Sequence, residues 1–76
     1  MTLDRLAIGQ TAIIEKVGGD PAVAQRLGEF GLFEGEQIEM VGTAPLGDPI
    51  EIKVGNTRLS LRKSEALGVR VISKTI

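Results

Sequence analysis

The sequence predicts a mainly β fold, a small barrel of about five short strands with one inserted amphipathic helix. Five short segments rich in β-branched residues alternate with turns that contain glycine, proline or asparagine. Only one stretch, 21–30, places its apolar residues at helical spacing. Closing such strands into a barrel would remove the exposed edges of a flat sheet. With 76 residues, we expect one domain over positions 1–76.

The composition favours a cytoplasmic protein without its own membrane segment. The chain has no cysteine, and no apolar run approaches the roughly 20 residues that a membrane helix needs. Nine basic and ten acidic residues give a net charge of −1, which provides no general attraction to nucleic acid. Phe30 and Phe33 are the only aromatic residues, too few for the stacking platforms of nucleic-acid-binding barrels. We therefore expect no nucleic-acid partner and no membrane insertion.

The first half of the chain contains a turn, a strand and the helix. Thr2 is expected to cap a short turn that ends at Leu6. Residues 11–17 are predicted as the first strand because they are rich in β-branched side chains. Asp20 and Pro21 suit the start of the helix, and Gly31 suits its end.

The helix is predicted to be amphipathic. Its expected apolar face consists of Val23, Ala24, Leu27 and Phe30. Three turns are too short to be stable alone, so this face must pack on other parts of the protein. Gly28 lowers helix stability by about 1 kcal/mol relative to alanine, which is tolerable if a close approach to the sheet requires a small residue.

The second half predicts a strand, a hairpin, a short turn and a last strand. Segment 37–43 alternates between apolar and polar residues. Segments 50–54 and 58–62 form the predicted hairpin, in which Ile52 lies opposite Leu59. Ser64 is expected to cap the short turn. The last strand is predicted over 69–74, with Val69 and Val71 facing inward.

No group of residues predicts catalysis or a resident cofactor. The absence of histidine and cysteine excludes the usual zinc sites and Cys–His nucleophiles, and no phosphate-binding loop motif occurs. Carboxylates are the remaining chemical resource, since Glu34, Glu36 and Glu39 lie close together in sequence. They are compatible with a solvated acidic rim or with a weak site for a hard cation. We expect a protein that is not an enzyme, with no cofactor and no assigned metal ligand.

Three groups of residues resemble the FeoA family, small cytoplasmic proteins of bacterial ferrous iron uptake. They are Arg26-Leu27-Gly28-Glu29-Phe30-Gly31-Leu32 with Gly35, then Ala44-Pro45-Leu46-Gly47-Asp48-Pro49-Ile50, and Leu59-Ser60-Leu61-Arg62-Lys63-Ser64-Glu65-Ala66. The resemblance implies an SH3-like barrel and an accessory role for FeoB, the membrane transporter with a cytoplasmic GTP-binding domain. The same fold occurs as the C-terminal domain of iron-dependent repressors, which leaves a metal-sensing or ligand-binding regulatory domain as the alternative.

If FeoB is the partner, the resemblance and the residues together suggest where contact occurs. Leu46 is an apolar side chain in a loop between two strands, and Phe33 lies just beyond the end of the helix. Leu27 lies on a helix that is a plausible docking element, although core packing is the alternative for all three. The remaining candidates are Gly47, Asp48 and Pro49, which are expected mainly to shape the turn. The sequence indicates no oligomeric state.

Overall fold

The computed structural model describes residues 1–74, and it is mainly β. A single 3₁₀ turn, Leu3–Arg5, precedes the first strand. The other elements, in chain order, are β1 (Thr11–Val17), α1 (Pro21–Glu29), β2 (Gln37–Thr43), β3 (Ile50–Val54), β4 (Thr57–Leu61), α2 (Lys63–Ala66) and β5 (Val69–Ser73). The predicted set of five strands and one main helix is therefore confirmed, and the short turn near Ser64 is the four-residue helix α2.

The five strands form one sheet in the order β4-β3-β2-β1-β5, and every neighbouring pair is antiparallel. The β3–β4 hairpin has the predicted register, with Ile52 opposite Leu59. β4 begins at Thr57 and ends at Leu61, one residue earlier at each end than predicted. On the outer face Glu51 and Arg58 form an ion pair of 3.7 Å between Oε2 and Nη1. Because β1 lies between β2 and β5, the first and last strands of the chain are neighbours in the sheet.

The core is built from aliphatic side chains and methionine, as the scarcity of aromatic residues requires. Val69 and Val71 of β5 face inward and are fully buried, as predicted. In β1 the alternation left the inward residue open, and the structure buries Ile14 while Ile13 is half-buried. The remaining core residues are Leu3, Leu6, Ala12, Leu27, Leu32, Ile38, Met40, Ile50, Ile52, Val54, Leu61 and Ala66.

The predicted apolar face of α1 is only partly correct. Leu27 is the one α1 residue that is fully buried, while Phe30 is half exposed. The reason is that the helix ends at Glu29, so Phe30 is its C-cap and has left the helical path. Leu32 packs in the core beyond the helix end, with its amide donating to the Leu27 carbonyl at 3.1 Å. Asp20 does cap the helix, and it accepts a hydrogen bond of 2.9 Å from the Ala22 amide.

Two other predicted caps are wrong. The Thr2 side chain makes no capping bond to the backbone, because its hydroxyl donates to the Asp4 carboxylate instead. Ser64 does not cap α2, which begins one residue before it at Lys63. The Arg62 amide, which precedes this helix, donates to Oε1 of Glu65 at 2.8 Å. The α2 start is thus held by a carboxylate three residues later and, as described below, by one from a distant loop.

Candidate partner-binding site

The loop between β2 and β3 forms a tight turn with Leu46 at its tip. The Gly47 amide donates to the Ala44 carbonyl at 2.7 Å, and the Ala44 amide donates to the Pro49 carbonyl at 2.9 Å. Pro45 occupies the position after Ala44, where its fixed φ favours such a turn. The result is a loop closed on itself by two backbone hydrogen bonds, with a cis Asp48–Pro49 peptide bond.

The same loop is attached to α2. Oδ1 of Asp48 accepts a hydrogen bond of 2.9 Å from the Lys63 amide, which is otherwise an unpaired donor at the helix start. Gly47 has a φ of +86°, a conformation that side chains other than glycine rarely adopt. A Cβ atom built at Gly47 would also lie 3.4 Å from Nζ of Lys63. Gly47 and Asp48 therefore shape and anchor the loop, as the sequence led us to expect of them.

Leu46 is the most exposed large apolar side chain among the described residues. Its relative exposure is 97%, against 64% for Ile8, the next in order. Single exposed apolar residues are common on protein surfaces. This one differs because the turn hydrogen bonds and the Asp48 bond hold its backbone in place. A partner that buries Leu46 would therefore pay little entropy for ordering the loop.

Phe33 lies in a second tight turn, just after α1, and this residue is 58% exposed. The Glu36 amide donates to the Phe33 carbonyl at 3.1 Å, which closes the turn. Two further hydrogen bonds attach this turn to β1: the Gly35 amide donates to the Ile14 carbonyl at 2.8 Å, and the Ile14 amide donates to the Glu36 carbonyl at 2.9 Å. The position of Phe33 is thus fixed by the central part of the sheet.

A groove of about 640 Å³ runs between α1 and the Phe33 turn. We refer to it as the Phe33 groove. Its walls are mainly apolar and include Val17, Ala24, Leu32 and the Phe33 ring. Glu29 and Glu34 also border it. Little in the sequence indicates this groove, apart from the single glycine, Gly28, inside an otherwise regular helix.

The suggestion that Leu27 contacts a partner at the surface is wrong, because the structure buries this residue. Its side chain is 1% exposed and belongs to the core cluster, so it is not available to a partner in this structure. The helical spacing that suggested a docking face is the same spacing that a buried face requires, which is why the sequence could not separate the two. Leu27 instead attaches α1 to the barrel.

The two exposed candidates lie beside different helices. Leu46 belongs to the loop bonded to α2, whereas Phe33 borders α1. An ion pair between the Arg26 guanidinium and the Glu65 carboxylate joins these two helices. This ion pair is a side-chain contact between the helix that borders the Phe33 groove and the helix that is bonded to the Leu46 loop.

The acidic residues near the end of α1 are all exposed. Glu34 and Glu36 lie in the turn before β2, and Glu39 points outward from that strand. Within residues 1–74, no three acidic side chains come close enough to hold a metal ion together. In the same part of the chain, none of the helices has the length and apolar character required to cross a bilayer.

The family model of the FeoA domain matches residues 1–73. A fusion protein of Fe(2+) transport protein A and Fe(2+) transporter FeoB from Porphyromonas gingivalis is 34% identical over 71 residues, which is 93% of this chain. The chain spans only 8% of the length of that relative. The family match thus covers almost every residue that the structure describes.

Solved structures of FeoA proteins are also similar to this chain. The FeoA protein of Chlorobium tepidum has a TM-score of 0.93 and 37% identity, over 99% of this chain and 71% of that one. FeoA of Stenotrophomonas maltophilia, described as an SH3 domain protein, has a TM-score of 0.84 and 41% identity, over 95% and 89% of the two chains. A manganese-dependent transcriptional repressor has a TM-score of 0.85 at only 15% identity, over 96% of this chain and 41% of that one, and therefore shows a shared fold alone.

The architecture expected from the resemblance is therefore confirmed as an SH3-like barrel with an inserted helix. The motifs that suggested the relationship lie in α1, the Leu46 loop and the β4–α2 segment, and each is a structural feature described above. The chain belongs to the FeoA family.

Proposed function

We propose that this chain is a non-enzymatic accessory protein of ferrous iron uptake that binds the cytoplasmic GTP-binding part of FeoB through the Leu46 loop, with Phe33 as a second contact. The observation that carries the proposal is the 97% exposure of Leu46 on a loop held by hydrogen bonds at both ends. A pre-ordered apolar side chain of this kind is suited to insertion into a pocket on another protein.

The fusion relative from Porphyromonas gingivalis supports FeoB as the partner. There, a FeoA part and a FeoB part belong to one polypeptide, as the name of that protein states. Joining two proteins in this way raises the effective concentration of each for the other. The two parts of such a fusion can bind each other through surface contacts, and in this chain Leu46 is the leading candidate for such a contact.

The energy available from Leu46 is of a useful size. Full burial of a leucine side chain contributes about 1.5–3 kcal/mol. At about 1.4 kcal/mol for each tenfold change in affinity, loss of this contact would weaken binding by roughly 10- to 100-fold. A change of this size is readily measured by calorimetry or by surface plasmon resonance.

The direct test measures the affinity of this chain for the purified GTP-binding domain of the FeoB from the same genome. We expect Leu46→Asp to weaken binding by at least tenfold, because it places a charge where an apolar contact is proposed. Ile8→Asp is the matched control, since Ile8 is 64% exposed in a different turn. Equal affinities of the wild-type chain and the Leu46 variant would contradict the assignment of Leu46. Absence of binding by the wild-type chain would contradict the proposed partner.

A cellular test addresses the role in transport. In a strain that lacks this gene, we expect ferrous iron uptake to be reduced and to be restored by the wild-type chain and by the Ile8→Asp control. The Leu46→Asp variant should restore it poorly at an equal protein level. Uptake that is unchanged by the deletion would contradict the accessory role.

A regulatory metal-sensing domain predicts a different result in calorimetry with Fe²⁺ or Mn²⁺. It requires tight stoichiometric binding that is lost when Glu34, Glu36 or Glu39 is replaced by glutamine. We favour the accessory role because Leu46 offers a specific contact, whereas these glutamates are exposed and do not form a cluster within residues 1–74.

A further inference from the structure

The Phe33 groove has the shape and lining of a site for an apolar side chain. It is a shallow groove of about 640 Å³ that is open to solvent, and its mainly apolar lining includes Val17, Ala24, Leu32 and Phe33. Of these lining residues, Leu32 is almost completely buried with 1% exposure, whereas Phe33 is exposed. Apolar walls of this kind gain free energy when an apolar group displaces water from them.

Gly28 keeps this groove open. It lies inside α1, where glycine stabilises a helix less than alanine does. A Cβ atom built at Gly28 would lie 3.6 Å from Cε1 of Phe33, which is an ordinary van der Waals distance. Packing within the protein therefore does not require glycine here. A larger side chain at this position would instead occupy the groove.

The charges around the groove have one sign. Glu29 and Glu34 border it, and no lysine or arginine is among the residues that line it. Glu15, Glu51 and Glu65 are each ion-paired with an arginine. In contrast, neither Glu29 nor Glu34 takes part in an ion pair among residues 1–74. Two unpaired carboxylates beside an apolar groove attract a ligand that carries positive charge.

From these three observations we propose that the Phe33 groove binds a basic segment of the protein partner, with one apolar side chain of that segment inserted beside Gly28 and with lysine or arginine residues facing Glu29 and Glu34. This inference rests on the proposed function, because it defines the chemistry of a second contact with the same partner. It differs from the Leu46 contact in being sensitive to charge and salt.

Two fluorescein-labelled synthetic peptides test the chemistry of the groove. In the first, a central leucine is flanked by two lysines on each side, and in the second these lysines are replaced by glutamates. We expect the wild-type chain to bind the lysine peptide at least tenfold more tightly than the glutamate peptide at low salt. Increasing the salt concentration should reduce this difference, because it screens exposed charges. Amide resonances of Gly28 and Phe33 should shift on binding in ¹⁵N correlation spectra.

Substitutions on two sides of the groove keep the proposal falsifiable. Gly28→Leu should abolish binding by filling the groove, and a thermal unfolding curve will show whether that variant is folded. The double variant Glu29→Lys, Glu34→Lys changes only exposed residues and should reverse the preference in favour of the glutamate peptide. Glu39→Lys is the control for charge, since Glu39 is exposed on β2 and does not line this groove. Unchanged peptide selectivity in the double variant would overturn the proposal.

The GTP-binding domain of FeoB separates this inference from the proposed function. If that domain binds the wild-type chain and the groove variants equally well, the groove inference is wrong while the proposed function stands. If the domain does not bind the wild-type chain at all, the proposed function is wrong, and the inference falls with it as a statement about this partner. If the Glu29→Lys, Glu34→Lys double variant binds this domain at least tenfold more weakly, and the Glu39→Lys variant does not, the result supports both the proposed function and the groove inference.

Discussion

Two leucines of the same chain have opposite surroundings. Leu46 is 97% exposed at the tip of a turn, and Leu27 is 1% exposed beneath α1. Both leucines were suggested as possible partner contacts from the sequence, because the residue type alone does not show whether a leucine is exposed or buried. The turn residues around Leu46 favour exposure, whereas the helical spacing around Leu27 is equally compatible with a buried face and a docking face.

Truncating these two leucines should have very different effects on stability. Leu46→Ala is expected to change the free energy of unfolding by no more than about 0.5 kcal/mol, because the side chain makes few contacts to lose. Leu27→Ala is expected to reduce it by about 2–5 kcal/mol, because it leaves a cavity in the core. Urea denaturation of the two variants measures both values. A large loss of unfolding free energy in the Leu46→Ala variant would show that Leu46 has a structural role.

Asp48 is predicted to stabilise the protein through its hydrogen bond to the Lys63 amide. Asp48→Ala removes the acceptor and leaves an unpaired donor at the start of α2, which should reduce the free energy of unfolding by about 0.5–2 kcal/mol. Asp48→Asn keeps an oxygen at the same position and serves as the matched control. Thermal or urea unfolding of the three proteins checks this. If the alanine variant is as stable as the asparagine variant, the bond contributes nothing measurable.

At the scale of elements, sequence patterns predicted the strands well. β1, β2 and β3 have the predicted bounds, and the β3–β4 register follows from matching apolar residues across the Gly55-Asn56 turn. The prediction succeeded because alternation along a strand and pairing across a hairpin are both local. Elements held by distant groups were predicted less well. The start of α2 depends on Asp48, fifteen residues earlier in the chain, and no local pattern reveals that contact.

The helix α1 should become more stable when Gly28 is replaced by alanine. Alanine is favoured over glycine by about 1 kcal/mol inside a helix, and its methyl group would meet only the Phe33 ring, at a normal contact distance. We therefore expect Gly28→Ala to raise the free energy of unfolding by up to about 1 kcal/mol in urea denaturation. A destabilised variant would show that the space beside Gly28 is needed by the fold itself. In that event the glycine could no longer be interpreted as a feature of the groove.

At the scale of the whole molecule, the barrel is held together mainly by its sheet. β1 is hydrogen-bonded on both sides, to β2 and to β5, whereas α1 has a single fully buried side chain. The sequence predicted that strands would form most of the fold, because only one short segment has helical periodicity. It did not predict the Phe33 groove, since that space depends on how the turn after α1 is attached to β1.

Hydrogen exchange should show that the sheet is more stable than α1. Amides of β1 that lie between β2 and β5, such as that of Ala12, are expected to exchange only through global unfolding, because both neighbouring strands cover them. Amides of α1 are expected to exchange through a smaller opening that exposes less surface and depends less on denaturant. Native-state exchange at several low urea concentrations measures both. Equal denaturant dependence for the two elements would contradict an independent opening of α1.

The close contact between two glycine-containing corners has a consequence for sequence variation. The Gly18 amide donates to the Gly68 carbonyl at 2.7 Å, and a Cβ atom at Gly68 would lie only 2.8 Å from the Gly18 oxygen. Even the smallest side chain at position 68 would thus force apart the connection that leads into α1 and the one that leaves α2. At position 68 a methyl group is already too large for these two corners to keep their present distance.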